Sequence, residues 1–136
     1  FHVKLRREGD MVVVELPSGR CLYYYNPGTD QDAGIYYWGM NQYTRKWERI
    51  RTYGARLVEN VIQAISCDAL TEGLLRCEGV GVPVVAHLHD EIAAESIKDR
   101  AQKMLEILIY CMTAKILWAP GLKVTAEGYI SKRYKK

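Results

Sequence analysis

The 136-residue sequence predicts an α+β fold: an antiparallel sheet with helices packed on one face, preceded by β-hairpins. Three observations carry that prediction. Short runs rich in valine and tyrosine, separated by proline, glycine and asparagine, fill residues 11–53. Two longer stretches, starting near Arg56 and Ala101, repeat apolar residues at helical spacing. Between them an apolar run climbs into His89-Asp90-Glu91 and a second one leaves it.

Composition bounds the rest. Apolar residues make up 49% of the chain, enough for a core and too many for a disordered tail. The length fits one domain or one piece of a larger domain. The expectation is a single partial domain, with a β-hairpin region over 1–53 and helix, central hairpin, helix and final strand over 54–136. The chain opens on Phe1 rather than Met, which predicts that an N-terminal part precedes it. No apolar run is long enough to span a membrane, and no signal peptide is visible.

The net charge of +3 is too small to indicate nucleic acid by itself. The positive residues are clustered, however, at Lys4-Arg6-Arg7, at Arg45 to Arg56 and at Lys132 to Lys136. Such clusters meet phosphate or simply face water. The four cysteines, Cys21, Cys67, Cys77 and Cys111, contain no CxxC pair, and the three histidines complete no zinc pattern. Free thiols in a reducing compartment are the expectation.

Met11 to Leu16 reads as a strand, Pro17 to Arg20 as a turn and Cys21 to Tyr25 as the return strand, ended by Asn26-Pro27-Gly28. Thr29 to Gly34 reads as a polar loop. Ile35 to Met40 and Arg45 to Thr52 form a second hairpin, joined near Asn41-Gln42. It interleaves Tyr36, Tyr37, Trp38, Tyr43 and Trp47 with Arg45, Lys46, Arg49 and Arg51. That pattern suits single-stranded nucleic acid, and equally a twisted sheet with aromatic cross-strand pairs.

A long helix follows over about Arg56 to Cys77, with Gly79 as its stop. Leu57, Val58, Val61, Ile62, Ile65 and Ala69 give it a broad apolar face. Arg56, Asn60 and Gln63 stand at i, i+4 and i+7, within about 60° of one another on the cylinder. Their donors aim one way, toward solvent or a ligand. Val82 to Leu88 and Ile92 to Glu95 form the central hairpin, with His89, Asp90 and Glu91 at its tight end. Ser96 and Asp99 resemble a capping box for the next helix, whose stripe is Ala101, Met104, Leu105, Leu108 and Met112. Trp118 to Gly121 breaks that pattern, Lys123 to Tyr129 reads as a final strand, and Ser131 to Lys136 is a basic tail.

Asp90 and Glu91 carry the chemical interest. Neighbours in a strand point to opposite faces, but at a turn both reach a common site. Carboxylates beside an apolar run need a partner, a metal or water. Oxygen donors of this kind suit Mg²⁺. A His87-x-His89 pair beside Asp90 also raises a transition-metal site, although the spacing departs from the metallohydrolase pattern.

His89-Asp90-Glu91 between apolar strands resembles the third palm motif of family A DNA polymerases of the phage and prophage type. Thr52 to Ala64, Trp38-Gly39-Met40-Asn41 with Lys46-Trp47, Leu16 to Arg20, and Ala126-Glu127-Gly128-Tyr129 with Lys132-Arg133-Tyr134 are similar to that family in the same order. Ala55 stands where the family usually has glycine, and Arg56 where phage members often have lysine.

The resemblance implies roles. Asp90 and Glu91 would be catalytic, Asp90 as one of two metal-binding palm aspartates with Glu91 beside it. His89 would lie against the primer terminus, and Gln63, Asn60 and Arg56 against primer–template DNA. The cofactor would be Mg²⁺ in a two-metal site, with its second aspartate missing from this chain. The partners would be primer–template DNA, deoxynucleoside triphosphates and the missing N-terminal part of the polymerase, with no membrane. The implied setting is the cytoplasm of a bacterial host. The isolated chain is expected to be inactive. The alternative is a non-catalytic DNA-binding module derived from a palm domain.

Overall fold

The computed structural model describes residues 2–31 and 34–134, so Lys135 and Lys136 of the basic tail, and part of the polar loop, lie outside the described residues. The fold is α+β, with a five-stranded antiparallel sheet, a two-stranded sheet and two helices. It divides into two compact units, Phe1–Ile65 and Ser66–Lys136. No helix among the described residues is long and apolar enough to cross a membrane.

In the first unit, β1 (Lys4–Glu8), β2 (Met11–Glu15), β3 (Cys21–Thr29), β4 (Ile35–Met40) and β5 (Trp47–Thr52) pair in sequence order. The two expected hairpins are thus parts of one meander, buried around Val13, Val14 and Leu16. β1 carries no strand-like alternation. Its register on β2 holds it, and Lys4 and Arg6 reach Glu15 at 3.1 and 2.7 Å. The Pro17–Arg20 turn forms as expected: Gly19 takes φ 89°, and the Gly19 N–H donates to the Leu16 carbonyl at 2.9 Å.

Asn26-Pro27-Gly28 does not end β3. The strand runs on to Thr29 through a bulge between Tyr25 and Gly28. Pro27 has no N–H to give a ladder, so an irregularity absorbs it within the strand. Gly28 lies under Tyr36, where a Cβ would come within 2.5 Å of the phenol oxygen.

The helix α1 (Gly54–Gly79) begins in this unit. Arg20 donates to the Ala64 carbonyl at 2.8 Å, and Asn60 to the Tyr24 hydroxyl at 3.4 Å. An apolar cleft of about 490 Å³ opens here, lined by Val12, Val14, Tyr24, Ile35, Leu57 and Val61 among others. The broad apolar face is only partly covered as a result: Val58 and Ile62 are each 58% exposed.

In the second unit, Cys77, Val82, Leu108 and Cys111 form a buried cluster, joined by Val84, Ile92, Ala94, Met104, Ile107 and Met112. α1 meets α2 (Ala101–Thr113) at Gly73, where a Cβ would stand 3.4 Å from the Met112 Cα, in van der Waals contact. Gly79 remains helical, and the stop is Gly81, at φ 73°. The Gly81 N–H donates to Glu78 and the Val82 N–H to Cys77, the paired bonds of a Schellman ending.

The hairpin of β6 (Val84–Leu88) and β7 (Glu91–Ala94) follows. The capping box is not formed. A 3₁₀ turn at Lys98–Arg100 leads into α2 without a side-chain cap, and the Ser96 hydroxyl donates to the Ile97 carbonyl instead.

The final strand is also absent. Residues 122–131 join no ladder among the described residues. Gly128 lies against Leu105 of α2, 2.5 Å from a would-be Cβ, so this stretch packs on the helix. The turn before it is anchored by Arg76, which donates to the carbonyls of Cys111, Ala114 and Lys115, and by the Trp118 indole on Glu72.

Candidate functional site

In the second unit, Leu88 pairs with Glu91, so His89 and Asp90 form a two-residue loop. His89 adopts φ 49°, the positive value that short hairpin loops favour. Asp90 is thereby held at the apex, with Glu91 as the first residue of β7.

The hairpin tip that carries the acids is exposed. His87, His89, Asp90 and Glu91 are all exposed. The core takes only Val84, Ile92 and Ala94 from this hairpin, which leaves Val85 and Leu88 58% and 47% exposed. Desolvation therefore imposes no charge-pairing demand on Asp90, which has no hydrogen-bond or ion-pair partner among the described residues.

Glu91 does have a partner. The Tyr134 hydroxyl donates to Glu91 Oε2 at 2.9 Å, across 43 positions of sequence. The neighbouring carboxylate pushes the Tyr134 hydroxyl's pKa above the ordinary phenol value and keeps it a donor. No spacing rule finds this contact, because a hydrogen bond between residues 43 positions apart leaves no local pattern.

Two adjacent carboxylates offer hard oxygen donors that suit Mg²⁺, which accepts one or two protein carboxylates and fills its remaining positions with water or phosphate. They fit as part of a site. Among the described residues no group of three or more His, Cys, Asp or Glu side chains could hold a metal. The His87-x-His89 pair thus finds no third donor for a transition-metal centre.

In the first unit, the Arg56 and Gln63 side chains are exposed on α1, and Asn60 is half-buried beside Tyr24. Gln63 donates to Glu59 one turn earlier, at 3.2 Å. Both contacts are long or exposed, so neither commits its amide strongly. Part of the aromatic and basic hairpin is engaged with β3 and with Asp30. Arg49 and Arg51 both reach Asp30, at 2.9 and 3.0 Å, and Arg49 also lies 4.8 Å over the Tyr36 ring. Tyr24 meets Tyr37 edge-on at 5.1 Å, and Tyr25 meets Trp47 at 6.1 Å. This is the twisted sheet with aromatic pairs.

No protein-family profile matches the chain, and no solved structure does. Over 134 residues the chain is 37% identical to a DNA polymerase of Bacillus phage SP02. The alignment takes in 95% of the chain and 20% of the phage protein, so the chain spans about a fifth of the relative's length.

Proposed function

We propose that this chain is the C-terminal part of the palm of a phage-type family A DNA polymerase, and that it contributes one side of a two-metal nucleotidyl-transfer site and part of the primer–template grip. The observation that carries the reading is the 37% identity to a phage DNA polymerase along 95% of the chain. The exposed Asp90, without a partner among the described residues, supports it, since such a carboxylate is available to an external ligand.

Within this reading Asp90 binds metal, and Glu91 supports it from the next position. Bound magnesium supplies Lewis acidity at the primer 3′-hydroxyl and charge neutralisation at the leaving pyrophosphate. His89, at positive φ beside the acids, faces the primer end. Arg56, Asn60 and Gln63 present donors to minor-groove acceptors and the sugar–phosphate chain. Acceptors there are nearly common to all base pairs, so the duplex is held without sequence preference. A further carboxylate comes from the polymerase outside these residues. Its substrates are deoxynucleoside triphosphates, and its setting is the cytoplasm of a phage-bearing bacterial cell.

The test is primer extension by the longer polymerase that carries this chain, with and without Asp90→Ala. The expected outcome is loss of extension with primer–template binding largely kept. Undiminished extension by Asp90→Ala would sink the reading. If the unsubstituted protein binds primer–template without extending it, the chain is instead a DNA-binding module derived from a palm.

A further inference from the structure

Several carboxylates of this chain are paired with cations. Glu15 holds Lys4 and Arg6, Asp30 holds Arg49 and Arg51, and Glu72 meets Arg76. Glu91, like Glu48, Glu59 and Glu106, accepts instead from an uncharged donor: the Tyr134 hydroxyl, at 2.9 Å, reaches it from the far end of the unit. A neutral donor orients a carboxylate without cancelling its charge. Asp90, one residue away, has no partner among the described residues. The tip thus carries two carboxyl groups with no cationic partner among the described residues, and one of them is held in place.

The delivery of Tyr134 is built into the unit. Arg76 ties three carbonyls at the end of α2, and Ile116 and Ala119 are 1% exposed beyond it. Gly128 then lies directly on Leu105. A Cβ at Gly128 would require the Leu105 methyl to move aside, so the glycine lets the segment pass close over that side chain. The route ends with Tyr134 on Glu91.

We propose that Tyr134 is a positioning residue of the acid pair: its hydroxyl fixes the Glu91 carboxylate at the hairpin tip while leaving the charge of both acids available to a divalent cation. The inference rests on the polymerase reading above. Partners that orient metal-binding groups typically change metal affinity by 10–100-fold when removed, and an exposed contact belongs at the lower end.

The experiment uses the longer polymerase that carries this chain. Tyr134→Phe removes one oxygen from a side chain that is 59% exposed, so the fold is not at stake. Mn²⁺ binding, followed by the electron paramagnetic resonance signal of the free ion, weakens about tenfold. The Mg²⁺ concentration for half-maximal extension rises by the same factor, and the loss is recovered at high Mg²⁺. A merely structural tyrosine would lower the melting temperature and leave metal dependence unmoved; that result overturns the inference. A second measurement places 3-fluorotyrosine at position 134. Its fluorine resonance broadens when Mn²⁺ binds, and a resonance that stays sharp at saturating Mn²⁺ also overturns it. Asp90→Ala separates the two levels. Extension that survives Asp90→Ala overturns the polymerase reading. Extension lost in Asp90→Ala but metal affinity unchanged in Tyr134→Phe overturns the role of Tyr134 alone.

Discussion

At the scale of single residues, environment sorts groups that the sequence shows as equals. The four cysteines are free thiols, but Cys67 is exposed while Cys77 and Cys111 are buried together. Burial, with Cys111 beside it, pushes the Cys77 thiol up to about 11. The thiolate is the reactive form, so at pH 8 iodoacetamide modifies Cys67 and spares Cys77 in the folded protein. Peptide mass analysis after brief alkylation checks this, and equal labelling of the two would contradict it. Arg56 and Gln63 differ in the same spirit. In the polymerase reading, Arg56→Ala weakens primer–template binding and lowers the salt slope by about 1, because one phosphate contact is lost. Gln63→Ala weakens binding with no change of slope, because its amide is uncharged. Fluorescence anisotropy at several salt concentrations distinguishes the two.

At the scale of elements, backbone geometry decides where α1 stops. The sequence points to Gly79 as the stop, but it is Gly81 that has positive φ. Gly81→Ala is therefore expected to destabilise the protein by about 1 kcal/mol, the cost of a left-handed conformation for a residue with a Cβ. Gly79→Ala, within the helix and with nothing near its would-be Cβ, is expected to be neutral or stabilising by about 0.5–1 kcal/mol. Urea denaturation of both variants orders them. Leu108 sits in the cluster that joins α1, α2 and the hairpin. Leu108→Ala removes that contact and leaves a cavity, with an expected loss of about 2–5 kcal/mol on the same measurement.

At the scale of the whole molecule, the polymerase reading makes the acid tip a partial site. Mg²⁺ catalysis of nucleotidyl transfer needs ligands that clamp two ions, and no third donor gathers at this tip among the described residues. The 136-residue chain alone is accordingly expected to give no primer extension with Mg²⁺ and all four nucleotides, and any clear extension product on a denaturing gel would refute this. The exposed Val85 and Leu88 on the same hairpin belong to this scale too. Apolar side chains at that level of exposure, set singly, are ordinary on a protein surface.

The sequence by itself determined the α+β class, the strands β2, β4 and β5, both helices and the hairpin that raises Asp90. These follow from local rules: alternation, turn residues at Pro17–Arg20 and a helical apolar stripe around Leu108. It also singled out His89-Asp90-Glu91, because adjacent acids between apolar strands are chemically conspicuous. What local rules missed depends on partners distant in the chain. β1 exists through its ladder with β2, and β3 continues through its bulge because β4 lies alongside. Whether Lys123 to Tyr129 forms a strand depends on a neighbour to pair with, and the segment instead lies on Leu105. The exposure of the acid tip and the bond from Tyr134 to Glu91 were likewise decided only in three dimensions. Burial and long-range hydrogen bonds arise from packing between segments, and no pattern within one segment encodes them.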